Sequence, residues 1–300
     1  MYLGSVRFFK HLIIAVILVL IFGLTISTIC LVVFNRNYEE QISDLQSELQ
    51  AETVLAQSND ADEEGSHEIG LTIEYQELYP DMYVSPAEAT KSEPKTVYLS
   101  FDDGPSDRTA EILDILKEED VKATFFVIGK EGNKHKDLLK RITEEGHTLG
   151  IHTYSHVYES IYSSVESYLE DFSETYHLIY ETTGVRPEVF RFPGGSINTY
   201  NARFYEEIIA EMTRRGFTYY DWNASSGDAA AGAATNTVLS NTVQSSEGKD
   251  RIILLMHDSI GKSYTVSALP EIIEYYRAQG FKFERITNDV TPIAFNYINY

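Results

Sequence analysis

From Lys95 onward the chain repeats one short unit, an apolar run of three to five residues followed by an amphipathic segment. Few architectures accept that pattern. The runs fall at 97–101, 124–128, 148–151, 189–192, 218–222, 252–256 and 282–284, and helical periodicity fills the gaps between them. The clearest helix is expected over 164–182, where Val165, Leu169, Phe172, Tyr176 and Ile179 recur at helical intervals and Ser163 and Glu166 have capping-box spacing. Gly146, Gly184, Gly216 and Gly280 each stand between a helix and the next run, where a left-handed C-cap is wanted. Seven strands alternating with helices predict a parallel sheet, closed into a barrel.

The sequence ahead of this repeat has a different character. Residues 12–34 carry no charge over 23 positions, enough helix to cross a bilayer of roughly 30 Å. Arg7 and Lys10 precede the run and acids soon follow, so residues 1–11 are expected in the cytoplasm and the remainder outside. A cleaved signal peptide is the rival, but its apolar region is usually only about 7 to 15 residues. Ile29 before Cys30 gives no lipoprotein signal, and with one cysteine there is neither a disulfide framework nor a cysteine zinc site. Residues 37–95 hold 15 acidic side chains against two basic ones and read as a solvated acidic stalk over 35–66, then a linker over 67–95. Ile42, Leu45 and Leu49 suggest a short helix in the stalk, and alternation over 69–75 a strand leading into the folded domain, 96–300. A net charge of -22 excludes a nucleic-acid partner.

The conspicuous polar residues fall on the strand ends. Asp102 and Asp103 follow the first run, His152 the third and His257 the sixth, while Arg191 lies near the end of the fourth. In a β/α barrel these ends share the face on which active sites are built. His152 and His156, four apart, have the spacing of two ligands on one side of a helical turn. With an aspartate from a neighbouring strand they make a two-histidine, one-carboxylate set with open positions. Zinc is the simplest occupant, with cobalt as the alternative, and it lowers the pKa of bound water towards about 7, which suits amide or ester hydrolysis. Asp102 is placed to take the proton of that water and His257 to protonate a leaving amine. Arg191 is placed to hold Asp102 ionised, and Gly194 and Gly195 to let backbone N–H groups approach an oxyanion.

These residues resemble the polysaccharide deacetylases of carbohydrate esterase family 4, the NodB-homology enzymes. The resemblance rests on Ser100-Phe101-Asp102-Asp103-Gly104, His152 to His156, Arg191-Phe192-Pro193-Gly194-Gly195 and Leu255-Met256-His257, in that order, and covers about 96–285. It implies a distorted (β/α)7 barrel, an ion on Asp103, His152 and His156, Asp102 as general base and His257 as general acid. It further implies Arg191 orienting the base, the Gly194 N–H facing the oxyanion, and removal of acetyl from N-acetylated sugars. The family often has an Asp-Trp pair before the acid histidine. Here Asp228 aligns with that aspartate and Ala229 stands at the tryptophan, while Asp221-Trp222 is the second alignment. Leu255 then walls the acetyl pocket. Tyr154, Tyr158, Tyr200, Tyr220 and Trp222 lie in or near the motif loops as sugar-stacking candidates, with Gly194, where a larger side chain often sits, widening the groove. The expectation is a membrane-anchored, outward-facing deacetylase of a cell-wall glycan, most plausibly peptidoglycan. The alternatives are another N- or O-acetylated polysaccharide as substrate, or a glycan-binding protein without turnover.

Overall fold

Why the sheet exists is visible in its central strands, whose residues point alternately to two different interiors. A computed structural model describes residues 74–295. In chain order its elements are β1 (Thr96–Asp102), α1 (Asp107–Glu118), β2 (Thr124–Val127), α2 (Gly129–Lys134), α3 (Lys136–Glu144), β3 (Thr148–Ile151), α4 (Tyr158–Ile161), α5 (Val165–Thr183), β4 (Val189–Phe190), α6 (Tyr205–Arg214), β5 (Thr218–Tyr219), β6 (Ala224–Ser225), α7 (Thr235–Ser246), β7 (Arg251–His257), α8 (Ser263–Ala278) and β8 (Lys282–Glu284). Val97, Leu99 and Phe101 of β1 pack with Ile252, Leu254 and Met256 of β7 in the core beneath the helices. Tyr98 and Ile253 join Phe126, Val189, Tyr220, Ile286 and Val290 in a second, smaller core. Period-two alternation therefore sends Ser100, Asp102, Leu255 and His257 to the same side as Tyr98 and Ile253.

Every pairing is parallel, in the order β5-β4-β3-β2-β1-β7-β6. β7 takes one edge of β1 along its whole length, so the other edge is shared: β8 pairs at Thr96 to Tyr98 and β2 at Ser100 to Asp102. The expected barrel does not close, because among the described residues β5 and β6 do not pair. The four residues 220–223 that join them are too few for a crossover between adjacent parallel strands. The sheet is a curled half-barrel, and a terminal segment covers the edge. Tyr220 Oη donates to the carbonyls of Thr287 and Val290 at 2.8 and 2.7 Å, the Asp221 N–H to Ile293 O at 2.8 Å, and the Phe295 N–H to Asp221 Oδ2 at 2.7 Å.

Two local expectations are corrected. The cap of α5 is Ser164, which accepts from the Ser167 N–H, whereas Ser163 Oγ donates to Ser160 O and Ser167 Oγ. Residues 152–156 are not helical but a loop with Thr153 and His156 at φ 64° and 58°, so the His152/His156 spacing works through a bent backbone. At the other end of α5, Gly184 at φ 73° is the left-handed C-cap.

The segment before β1 is built onto this domain. Glu74–Glu77 forms a 3-10 turn where the end of a strand was expected, and buried Arg215 donates to the carbonyls of Tyr75, Leu78 and Tyr79. The expected anchor, its cytoplasmic tail and the stalk lie outside the described residues. Among the described residues no helix is long and apolar enough to cross a membrane.

Candidate active site

Parallel register places Asp102 directly beside His257 as the last residues of their strands. Asp102 is 3% exposed, which for a carboxylate demands a partner. Arg191, immediately after β4 and fully buried, supplies it: Nη1 donates to Asp102 Oδ1 and to Ser100 Oγ, each at 2.8 Å. Its Nε is fixed on Tyr220 O at 2.8 Å, and its guanidinium stacks 4.3 Å from the Phe126 ring. Burial raises the pKa of Asp102, against the opposing charge and hydrogen bond of Arg191.

Asp103 stands beyond the strand at φ 73°, an uncommon left-handed conformation for a residue other than glycine. Its Oδ1 lies 3.3 Å from His156 Nε2 and 3.6 Å from His152 Nε2. Both ring nitrogens need lone pairs to serve as ligands. For His152 the structure assigns it, because Nδ1 lies 2.7 Å from the carbonyl of Arg191 and must donate there, leaving Nε2 bare. The three ligand atoms all fall within 4.8 Å of one another. Ligands about 2.1 Å from a tetrahedral ion stand roughly 3.4 Å apart, so the 3.3 and 3.6 Å spacings from Asp103 to the two histidines are those of a donor set that could hold one divalent ion.

The ligand loop is clamped from both sides. α2 begins with the N–H groups of Gly129 and Lys130 bound to Thr153 O and Tyr154 O, both at 3.0 Å. From α5, the Asp171 carboxylate accepts from the N–H groups of Tyr154 and Ser155. These bonds hold the left-handed residues Thr153 and His156 in place. Asp171 carries no sequence signal, since it is one of several acids along a helix. Gly104 meets a similar constraint, because a Cβ there would lie 2.1 Å from the buried carboxylate of Asp258, whose Oδ2 accepts from Thr109 at 2.5 Å.

His257 is oriented by Asp228. Nδ1 donates to Asp228 Oδ1 at 2.7 Å, while Asp228 Oδ2 accepts from the His257 N–H and from Thr265 Oγ1, both at 2.8 Å. Burial lowers the imidazole pKa, but the hydrogen bond and charge of Asp228, with Asp102 and Asp103 behind it, outweigh burial and leave it raised. Asp221, the alternative partner, is engaged elsewhere: its buried carboxylate accepts from the Ser196 N–H and Oγ and from the Phe295 N–H.

The remaining residues separate into those near the triad and those away from it. Gly194 is exposed with φ 77°, and Leu255 lies one residue pair below His257 on the same side. Trp222 packs against Phe295, with ring centroids 4.8 Å apart, and Ala229 is exposed beside Asp228. Tyr154 lines a cavity shared with Tyr79, Lys136 and His177, not the one that opens on Asp103 and His156. A separate cavity of about 510 Å³ opens on Asp103 and His156 and extends to Glu131, Lys134 and Ile260.

Comparison with known proteins agrees with this geometry. The polysaccharide deacetylase family model matches residues 89–218. A peptidoglycan-N-acetylglucosamine deacetylase of Bacillus cereus is 34% identical over 209 residues, which cover 67% of this chain and 72% of that protein. The chain belongs to the polysaccharide deacetylase family. It is thus a hydrolase of carbohydrate esterase family 4. Among solved structures of this family, the catalytic domain of a peptidoglycan N-acetylglucosamine deacetylase from Eubacterium rectale superposes with a TM-score of 0.66 at 33% identity, covering 71% of this chain and 98% of that one. A Streptococcus mutans CE4 esterase gives 0.61 at 30% identity, covering 69% and 93%. The family model stops short of Asp228 and His257, so that half of the site stands on geometry.

Proposed function

We propose that this chain is a metal-dependent N-deacetylase of N-acetylglucosamine units in a cell-wall polysaccharide, with peptidoglycan the foremost substrate. The observation that carries this is the grouping of Asp103, His152 and His156 beside two separately tuned groups, Asp102 on Arg191 and His257 on Asp228. A base and an acid, each fixed by a partner of its own, are what amide hydrolysis requires. Asp103, His152 and His156 would hold the metal ion, zinc foremost, which when bound would supply Lewis-acid polarisation of the acetyl group and ease the ionisation of water.

Asp102, whose carboxylate form Arg191 favours against burial, takes a proton from the attacking water as its oxygen bonds to the acetyl carbon. The N–H of Gly194 donates to the oxygen on which negative charge develops. Asp228 raises the His257 pKa and so favours the imidazolium, which carries a proton on Nε2 as well as the one Nδ1 donates to Asp228, and the Nε2 proton passes to the sugar nitrogen as the C–N bond breaks. Acetate and a free amine leave. Leu255 forms the apolar wall beside the acetyl methyl.

The membrane-anchored arrangement is part of the same proposal: residues 1–11 cytoplasmic, 12–34 spanning, 35–66 a stalk and the catalytic domain outside. The uncharged run and its flanking charges support it. The test is acetate release by the full chain in detergent, stripped of metal and reloaded with zinc or cobalt, on peptidoglycan, chitooligosaccharides and O-acetylated xylan. Metal-dependent release from peptidoglycan is expected; release from xylan alone would redirect the assignment to ester cleavage. Fractionation of cells expressing the full chain or residues 35–300 tests the anchor, which predicts membrane retention of the first only.

A further inference from the structure

Among the described residues six large hydrophobic side chains are exposed, and three of them, Val157, Tyr200 and Ile260, lie on loops around the candidate metal site. Exposed apolar groups scattered singly need no explanation, but several on the loops around one group of metal-ligating side chains point to a binding surface. Tyr200 is 49% exposed, and its ring centroid lies 5.0 Å from that of Tyr158. Tyr158 in turn lies 5.2 Å from the ring of His156. An aromatic strip therefore leads from a metal ligand out to the surface. It passes beside Gly194, because the Tyr158 hydroxyl comes within 3.3 Å of the place a Cβ at 194 would occupy. On the cavity side of the triad, Ile260 is 76% exposed.

The other aromatic candidates are not available to a ligand in this way. Tyr220 is fully buried with its hydroxyl on two carbonyls, Trp222 lies against Phe295, and Tyr154 lines a different cavity. A pyranose ring presents an apolar face of C–H groups and a rim of hydroxyls, so a flat, half-exposed phenol fits it: the ring covers the face and the rim stays in water. We infer that Tyr200, backed by Tyr158, is a stacking platform for the sugar adjoining the one that is deacetylated. The chain then acts on internal units of a polymer in preference to single N-acetylglucosamine. This rests on the deacetylase reading.

The deciding measurement is calorimetric binding of chitohexaose to the full chain in detergent, zinc-loaded and carrying His257→Ala so that no turnover intervenes. Adding Tyr200→Ala is expected to raise Kd roughly three- to tenfold, and Tyr200→Phe to restore it. Equal Kd with tyrosine, phenylalanine and alanine at 200, or no binding by any of them, overturns the platform. In the active chain the same substitution should raise KM for the hexamer more than for the single sugar, with the loss in KM and not in kcat. Tyr200-dependent binding without acetate release from any glycan would instead overturn the deacetylase reading and leave the platform standing.

Discussion

The two ends of β3 carry two histidines with the same burial and different chemistry. His147 precedes the strand and His152 follows it; each is 3% exposed, and burial pushes their pKa values down to about 4 and about 3. What separates them is which nitrogen the backbone consumes. His147 accepts the Ala123 N–H on Nδ1 at 3.1 Å, so its proton sits on Nε2, which finds no partner while the ring meets the edge of Phe125. His152 donates from Nδ1 to the Arg191 carbonyl, so its free lone pair is on Nε2, facing Asp103. Burial alone makes a neutral histidine. A ligand requires in addition that the second nitrogen point at the rim where other strands also end.

Removing each side chain in turn breaks or sharpens that contrast. His152→Ala should lose zinc by more than about a hundredfold in affinity, with acetate release lost in parallel, as read by metal titration and activity together. His147→Asn, which keeps an acceptor for Ala123, should leave zinc affinity and kcat at wild-type values. Equal loss from both would mean that burial, not orientation, matters. His257→Gln should reduce kcat by about 10² to 10⁴ while zinc stays bound, separating proton transfer from metal binding at the same rim. Asp171→Ala leaves every ligand in place but frees the loop between them, and roughly tenfold weaker zinc binding is expected.

The smaller effects are on pH dependence. Asp228 holds the His257 pKa above its usual value against burial, so the acid form survives to higher pH. Asp228→Asn leaves only Asp102 and Asp103 to oppose burial, and the alkaline limb of the kcat profile should move to lower pH; an unmoved limb would reject His257 as the acid. For His147 the native pKa of about 4 lies below the usual 6.5. Between these values the unfolded chain binds more protons, so the contribution is complete above about 6.5 and is lost as pH falls towards 4. Denaturant unfolding should show this as a decline that is larger in the wild type than in His147→Asn by at most about 3 kcal/mol, the decline due to His152 being common to both.

The local pattern of residues determined a good deal by itself. Apolar runs located seven of the eight strands, and the polar residues that end them, Asp102, His152, Arg191 and His257, had to share a rim because parallel strands end on one side. β6 escaped because Ala224-Ser225 is too short and too weakly apolar to form a run. The tertiary structure decided the rest. It left the sheet open where 220–223 is too short to cross over, and gave His257 to Asp228 while Asp221 went to Ser196 and Phe295. It also drew in Asp171 to hold a loop with two left-handed residues, and left Tyr200 accessible while burying Tyr220. Periodicity and chain order are properties of neighbouring residues and can be read from the sequence. Which carboxylate meets which donor, and which ring remains in water, depends on contacts between residues far apart in the chain, and those exist only once the sheet has curled.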